Sequence, residues 1–590
     1  MRLLSKKSFF DYILVVAWFL SAAAVMLRVY DLRFAPAPNE FIFWLPYAVM
    51  IAITAYMVFS KKGYLPLIFI IGMSLVIHSF DALRQPGSIN WGVDSNHDLQ
   101  IAKTGLSSGH FIFGDTNLHS HSFDQSFYPG LEFLTSTLNL ITTFSLSTLY
   151  NYTFIPISLL TLVLFFFLMR TIAKNDVTVN IAVLLYALCP LFGSFDSATL
   201  HESLSIIFFP IVIGFVITEI ADASRSIHRK NWFLIAAVSI ILISITNEFS
   251  SYVLTFQIVV IVATYFLIGI IKKAKFTRDL LYKLVLTAIT ITALFSWLIF
   301  VASFYLKNHG NLIGQVFLAL VTKFSPAEVV SPLSTMPLAI SILSYTGVGL
   351  LFLLSMFGAF LVIVRKANLF IKNVNSYALL VWWFISIGMM VLFILIPWSQ
   401  IDSGDIRFRG MEYAYFGIVP MAAIAIQKII PFLQARIGNL RLKTLTKYAS
   451  VIVIILIAVP TISIGWPRYY YDNPPAVDMN HLNSVEAYYC SNWLSTYSHA
   501  QWIAGTQDGQ TWVSGNAAIL FYYSAFNETL QTHIINSELY YINLANVEIP
   551  DQSNLIIGQE NMTWLNSQLS QVYDNGKVVV LAASANEVEN

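Results

Sequence analysis

Acidic residues and histidines are concentrated in one polar segment of the chain, residues 81–129. Five aspartates and four of the chain's eleven histidines lie there. They are Asp81, Asp94, Asp98, Asp115, Asp124, His97, His110, His119 and His121. Carboxylates and imidazoles can take up a proton, bind hydroxyl groups or ligate a metal ion. For each residue taken singly, the alternative is a solvated loop in which aspartates form turns.

Three other polar points lie beside apolar runs: His201 with Glu202, Glu248, and Arg407 with Arg409. A carboxylate at membrane depth is costly unless it is paired or hydrated, so Glu202 and Glu248 require a partner or a cavity. The arginine pair suits an anion, and phosphate is the anion that a bilayer supplies in quantity. Satisfied residues at the water boundary are the alternative for the acids, and a surface salt bridge is the alternative for the arginines.

Metal and nucleotide motifs are weak in this sequence. The pair His119-x-His121 with Asp124 has suitable ligand types, but two-residue histidine spacing recurs by chance, so no metal-ligand set is assigned. A Walker A pattern is absent, which disfavours an ATP-driven pump. The cysteines, Cys189 in an apolar run and Cys490 in the polar tail, provide no disulfide framework.

The composition indicates that a bilayer surrounds most of the chain. Of the 590 residues, 57% are hydrophobic and 11% are charged, whereas soluble domains carry about 25% charged residues. Mean hydropathy is +0.68. The net charge is +1 and basic residues form no long stripe, so a nucleic-acid partner is not expected.

Apolar runs predict about thirteen transmembrane helices, of which the first is a retained span rather than a cleaved signal peptide. The predicted spans are 11–30, 41–59, 64–80, 150–169, 177–191, 200–220, 232–245, 250–271, 281–305, 337–364, 378–396, 413–432 and 449–466. Alternating from a cytoplasmic N-terminus, this order places every short basic connector inside the cell, as the positive-inside rule requires. The prediction is a multi-pass protein of the cell membrane.

Two further segments fit outside this bundle. Residues 131–145 are apolar but short and contain Glu132, which predicts an interfacial helix on the outer leaflet. An odd number of spans places the tail, 467–590, outside as a soluble α/β domain. Strands are predicted at 518–523, 555–557 and 578–581, and Asn575-Gly576 indicates a tight hairpin turn. Residues 1–466 then form the membrane bundle, with 81–129 as its external acidic loop.

Short motifs in this order resemble the GT-C superfamily of integral membrane glycosyltransferases. Residues 91–98 (Trp-Gly-Val-Asp-Ser-Asn-His-Asp) are similar to the family's acidic motif in the first large outer loop, and 127–131 (Phe-Tyr-Pro-Gly-Leu) to the element that opens its interfacial helix. Residues 573–578 (Tyr-Asp-Asn-Gly-Lys-Val) resemble the end of many archaeal and bacterial members. Two spans precede the acidic loop where many members have one, so Asp31 is the alternative to Asp94 as the family aspartate.

The resemblance implies transfer of one sugar from a polyprenyl-phosphate donor to a glycan, lipid or protein acceptor at the external face. The tail lacks Trp-Trp-Asp-Tyr-Gly, which disfavours the oligosaccharyltransferase branch. Asp94 is the expected general base of an inverting reaction, and Arg407 and Arg409 would hold the lipid phosphate. Expected substrate-binding residues are His97, Asp98, Tyr128, His201, Glu202 and Glu248. No cofactor is required, although a divalent cation is compatible with the site.

Two other functions remain open from the residues alone. A lipid-linked saccharide flippase or other transporter would use the polar cluster as a translocation path, but it predicts ionisable groups inside several spans rather than at their ends. A polysaccharide polymerase or ligase also has many spans and a large external loop, although its main loop usually comes late in the chain.

Overall fold

The structure is a computed structural model, and it describes most of the helices and the strands of a C-terminal sheet. The described residues are 6–31, 40–61, 63–84, 92–110, 127–194, 196, 199–218, 226–271, 273, 277–302, 338–364, 376–395, 404–436, 440–463, 490, 493–494, 502–505, 520–523, 539–543, 569–574 and 578–583.

The described residues are mostly helical. The first ten helices are α1 (Lys6–Asp31), α2 (Glu40–Ser60), α3 (Leu65–His78), α4 (Phe80–Arg84), α5 (Gly92–Ser108), α6 (Gly130–Thr142), α7 (Leu146–Tyr152), α8 (Phe154–Ile157), α9 (Leu159–Ile172) and α10 (Asp176–Ala187). The next ten are α11 (Pro190–Ser194), α12 (His201–Ser205), α13 (Phe209–Ile217), α14 (Ser226–Thr246), α15 (Glu248–Ile271), α16 (Arg278–Phe300), α17 (Leu338–Ile363), α18 (Ser376–Leu395), α19 (Gly404–Arg436) and α20 (Leu440–Ser463).

Each of the thirteen predicted spans overlaps at least one of these helices. Seven helical segments in the described part of the chain are long and apolar enough to cross a membrane. They are Asp11–Asp31, Ile42–Ser60, Leu146–Ile172, His228–Thr246, Glu248–Ile271, Arg278–Phe300 and Ile342–Ile363. Five apolar helices of 10–17 residues add to these: Leu65–His78, Asp176–Ala187, His201–Ile217, Ser376–Val391 and Ala449–Ser463. The chain is therefore a polytopic helical protein.

The chain divides into two compact units. The first unit comprises Met1–Arg84, Ile155–Ser197 and Glu202–Asp472, and the second comprises Gln85–Phe154, Ala198–His201 and Asn473–Asn590. The polar loop and the short helix α6 thus group with the C-terminal residues.

Glycines allow close helix packing in the first unit. A Cβ on Gly358 of α17 would overlap the carbonyl oxygen of Met421 on α19, and one on Gly347 would overlap that of Leu456 on α20. In lipid, the hydrophobic effect does not drive helices together. Small residues that let two backbones approach closely are therefore a common basis of helix association. These contacts hold the late helices α17, α19 and α20 together.

Buried polar side chains also connect helices that are distant in sequence. Trp18 Nε1 donates to Thr54 Oγ1 over 2.9 Å, linking α1 to α2. The Tyr47 hydroxyl of α2 donates to the carbonyl oxygen of Ala458 in α20 over 3.0 Å. Trp382 Nε1 of α18 donates to Gln257 Oε1 of α15 over 3.1 Å. Polar groups in an apolar interior must be paired, so these bonds select particular helix neighbours.

The C-terminal part of the second unit contains a five-stranded sheet. Its strands are β1 (Trp502–Gly505), β2 (Leu520–Tyr523), β3 (Leu539–Asn543), β4 (Leu569–Asp574) and β5 (Val578–Ala583), in the order β2-β1-β3-β5-β4. Strand β1 pairs in parallel with β2 and β3, whereas β5 is antiparallel to β3 and β4. The predicted strands 518–523 and 578–581 overlap β2 and β5. The predicted strand 555–557 and the turn at Asn575-Gly576 lie outside the described residues.

Helix α6 coincides with most of the predicted interfacial segment. Polar side chains lie on its buried face and apolar side chains on its exposed face. Its buried face carries Glu132 and Thr135, while Leu140 and Ile141 are exposed. Apolar side chains that face outward are expected for a helix lying against lipid. The helix ends at Thr142, and the C-cap residue Thr143 has a left-handed φ of 61°. The Ser145 side chain then caps α7 by accepting from the Thr148 backbone N–H.

Candidate active site

Helix α5 carries the aspartate pair that the sequence singled out. Asp94 precedes Asp98 by four residues, about one helical turn, and Asp98 is fully buried. The side chains of Asp94 and His97 lie outside the described residues, so their predicted roles stay predictions. Leu99 and Ala102 of α5 pack against Leu146 and Leu149 of α7, which secures this helix within the second unit.

Helix α6 brings a second buried acid to the same unit. Pro129 occupies the N-cap position, and Glu132 lies in the first turn, where the helix dipole stabilises a carboxylate. The Glu132 side chain is fully buried, and the preceding Tyr128 is also buried. Burying a carboxylate is costly unless a hydrogen-bond donor or a cation lies beside it.

His201, the first residue of α12, lies beside both acids. Its Nε2 is 3.0 Å from Asp98 Oδ1 and 3.3 Å from Glu132 Oε1. Side chains from positions 98, 132 and 201 thus converge within one unit, and one ligand atom from each lies within 4.8 Å of the others. Among the described residues this is the one group of three acidic, histidine or cysteine side chains with the spacing of a metal site.

Two threonines and a tyrosine position the segments around this group. Thr199 lies two residues before His201, and its hydroxyl donates to the Tyr150 carbonyl oxygen over 2.5 Å. Thr135 of α6 donates to the Tyr150 hydroxyl over 3.5 Å. Tyr150 of α7 is therefore in contact with two of the three segments that supply the acidic and histidine side chains.

Lys103 of α5 is half-buried. Burial alone lowers the pKa of its ammonium group to about 8, because removal from water disfavours the charged form.

A second group of buried acids lies in the first unit and was not predicted from the sequence. Asp196 and Glu412 are both buried, and the Tyr186 hydroxyl donates to Glu412 Oε1 over 3.0 Å. Burial raises the pKa of Asp196 well above its usual value, and the nearby carboxyl groups of Glu412 and Glu202 add to that rise. The sequence signal was available, because an ionisable residue at the end of an apolar run is unusual.

Hydroxyl groups form a short chain elsewhere in the first unit. Ser250 of α15 is 2.5 Å from both the Ser205 hydroxyl and the Tyr413 hydroxyl. Asn247 Oδ1 accepts from the Ser250 backbone N–H over 2.8 Å. The predicted site residue Glu202 is buried, whereas Glu248 is partly exposed in the first turn of α15.

The remaining predicted residues are only partly covered. Arg407 and Arg409 lie in the N-terminal part of α19, but their side chains are outside the described residues. They belong to the first unit and Asp94 to the second, so convergence of these groups on one pocket stays a prediction. Asp31 is exposed at the end of α1, and the alternative metal residues His119, His121 and Asp124 are outside the described residues.

The chain, with its apolar helices, an acidic helix and a C-terminal sheet, is similar in fold to GT-C membrane glycosyltransferases of known structure. ArnT from Cupriavidus metallidurans bound to undecaprenyl phosphate matches with a TM-score of 0.51 and 11% identity, over 88% of this chain and 98% of that one. The apo ArnT structure matches with a TM-score of 0.51 and 12% identity, over the same shares.

The arabinofuranosyltransferase AftD from Mycobacteria is also similar in fold. It matches with a TM-score of 0.50 and 12% identity over 90% of this chain, which spans 40% of the AftD chain. No protein-family model and no curated protein matches the sequence.

Proposed function

We propose that this protein is a membrane glycosyltransferase that moves a sugar from a polyprenyl-phosphate donor to an acceptor at the external face of the membrane. The acceptor is a glycan, a lipid or a protein, and the reaction inverts the anomeric centre. The observation that carries the proposal is the GT-C fold over most of the chain, together with the burial of Asp98 one turn after Asp94 on α5.

The chemistry needs one base, because the leaving group is a phosphate that is already stable as an anion. Asp94 takes the proton of the acceptor hydroxyl as its oxygen attacks the anomeric carbon, and the bond to the phosphate oxygen breaks on the opposite side of the sugar. Proton transfer by a positioned base contributes about 10²–10⁴-fold to such a step. A retaining mechanism would instead need a second carboxylate as nucleophile.

Electrostatic stabilisation of the leaving phosphate is assigned to Arg407 and Arg409. A guanidinium group can bind two phosphate oxygens at once, and the contact strengthens as negative charge develops. The isoprenoid tail stays in the bilayer, so a helical bundle presents the headgroup at the membrane surface. The other predicted substrate contacts are kept in this proposal: His97, Asp98, Tyr128, His201, Glu202 and Glu248.

The test uses purified full-length protein in lipid vesicles with radiolabelled polyprenyl-phosphate sugars and a membrane extract as acceptor source. Wild-type protein should release label from the lipid, and Asp94→Asn should lower the rate at least about 100-fold. The matched control, Asp176→Asn, changes a carboxylate at the start of α10 that has no role in the proposal.

Three outcomes would overturn the proposal. If Asp94→Asn transfers sugar at the wild-type rate, Asp94 is not the base. If the wild-type protein moves labelled lipid across the vesicle membrane without cleaving it, the protein is a transporter. If no labelled donor loses its sugar with any acceptor fraction, transfer from polyprenyl phosphate is excluded.

A further inference from the structure

The geometry of the Asp98, Glu132 and His201 side chains, defined here as the carboxylate–imidazole group, differs from that of an ordinary buried ion pair. One imidazole nitrogen, Nε2 of His201, faces two carboxylates. A ring nitrogen carries at most one hydrogen, so it can direct a hydrogen bond to only one of them at a time. The arrangement therefore brings two carboxylate oxygens and one imidazole nitrogen to one point, and His201 Nε2 can provide at most one proton to the two acids.

The donor separations match those around a metal ion. Two ligand atoms that are each about 2.1 Å from one ion lie about 3.0 Å apart at a right angle and about 3.4 Å apart at a tetrahedral angle. His201 Nε2 is 3.0 Å from Asp98 Oδ1 and 3.3 Å from Glu132 Oε1. Both separations from His201 Nε2 therefore fit ligands of one ion, and the ligand atoms of all three side chains lie within 4.8 Å of one another.

Burial and charge give independent support. Glu132 is fully buried, and among the described residues no side chain or backbone group forms a hydrogen bond with its Oε2. A buried carboxylate oxygen without a donor is costly, whereas a cation would satisfy it. Two carboxylates with a neutral imidazole carry a charge of about −2, which a divalent ion balances.

We propose that Asp98, Glu132 and His201 bind one divalent transition-metal ion. Mixed nitrogen and oxygen ligands suit Mn²⁺ and Zn²⁺, whereas Mg²⁺ and Ca²⁺ favour ligands that are all oxygen. Three protein ligands leave at least one coordination position for water or substrate. The ion would also tie α5, α6 and the start of α12 together, one helical turn from Asp94.

The first test measures metal binding without any substrate. Full-length protein in lipid nanodiscs is stripped with a chelator, loaded with Mn²⁺ or Zn²⁺, freed of unbound ions and analysed by mass spectrometry. The wild-type protein should retain about one ion per chain. The variants Asp98→Asn, Glu132→Gln and His201→Gln should bind at least about 100-fold more weakly, beyond the loss typical of residues that only support a ligand. Matched controls are Asp176→Asn and His228→Gln, which change an aspartate on α10 and an exposed histidine on α14.

The second test identifies the ligand directly and does not depend on whether a variant folds. Pulsed paramagnetic resonance of the Mn²⁺-loaded wild-type protein should show coupling to a histidine nitrogen, and ¹⁵N-labelled histidine should change that signal. Wild-type protein that retains neither ion, or bound Mn²⁺ without nitrogen coupling, would overturn the proposal. Retained metal and nitrogen coupling in His201→Gln would do the same. Because no sugar donor is present, these results are independent of whether the protein transfers sugar.

Discussion

Two groups of buried acids, one in each compact unit, have different partners. In the second unit, Asp98 and Glu132 face the imidazole nitrogen of His201. In the first unit, Glu412 accepts from the phenol of Tyr186, and among the described residues neither Glu412 nor Asp196 contacts a basic side chain. A base beside two acids stabilises their charge, whereas burial beside another acid favours a retained proton.

The comparison separates two ways of tolerating carboxylates in a membrane protein. The carboxylate–imidazole group places a base beside its two acids, an arrangement that suits residues that bind substrate or metal. Burial and the neighbouring carboxyl groups raise the pKa of Asp196, which favours its uncharged form. Changing one partner in each group should therefore have effects that differ in size and in pH dependence.

The largest effect is expected from His201→Gln, which removes the only base of the carboxylate–imidazole group. Two buried carboxylates would then face each other, and removing one partner of a buried ion pair costs about 3–5 kcal/mol. We expect a loss of that order in the free energy of unfolding, measured by denaturant titration in mixed micelles.

The double variant His201→Gln with Glu132→Gln supplies the control. Replacing one carboxylate by an amide removes the repulsion, so part of the lost stability should return. If the single and double variants are equally destabilised, the charges of the two acids do not determine the stability of this group.

The second largest effect is expected from Asp196→Asn, and it depends on pH. The pKa of folded Asp196 is raised above its unfolded value. Its contribution to stability is therefore fully present below about pH 4 and is lost as the pH rises through the folded pKa. Wild-type stability should fall by at most about 1.4 kcal/mol per pH unit in that window.

Asp196→Asn should flatten this slope, because asparagine binds no proton in the same range. Unfolding measured at several pH values tests the difference, and Asp176→Asn, a half-buried acid of α10, should leave the slope unchanged. A slope that is identical in wild type and Asp196→Asn would show that Asp196 keeps an ordinary pKa and that the two acidic groups do not differ as described.

The helices were predictable from the sequence, but the acidic groups were only partly so. A run of about 20 apolar residues specifies a spanning helix locally, which is why each predicted span overlaps a helix. The contact of His201 with Asp98 joins residues 103 positions apart, and no local pattern encodes it. Asp98 was singled out by the acidic loop and its motif, His201 by its place at the start of an apolar run, and Glu132 was noted only as an acid in an apolar segment.

Asp196 and Glu412 were not singled out from the sequence, because no motif or cluster of acids marks either position. Asp196 follows a short apolar helix, and Glu412 lies next to the predicted phosphate-binding arginines. The contact of Glu412 with Tyr186 joins residues 226 positions apart. The Tyr186–Glu412 contact depends on the packing of α10 against α19, which neither segment determines alone.

The smallest effect is expected from Tyr186→Phe, which removes the donor to Glu412 and leaves the ring in place. The Tyr186 ring also stacks on Phe416 with centroids 4.4 Å apart, so the packing should survive. Leaving a buried acceptor without its donor costs about 1–3 kcal/mol, and a protonated carboxyl group can recover part of this by donating to a neighbouring acid. We therefore expect a loss near 1 kcal/mol in the free energy of unfolding.

Tyr345→Phe, at an exposed position of α17, is the matched control and should be neutral. A loss as large as that of His201→Gln would contradict the distinction between the groups, because it would mean that Glu412 is a charged acid that depends on one donor.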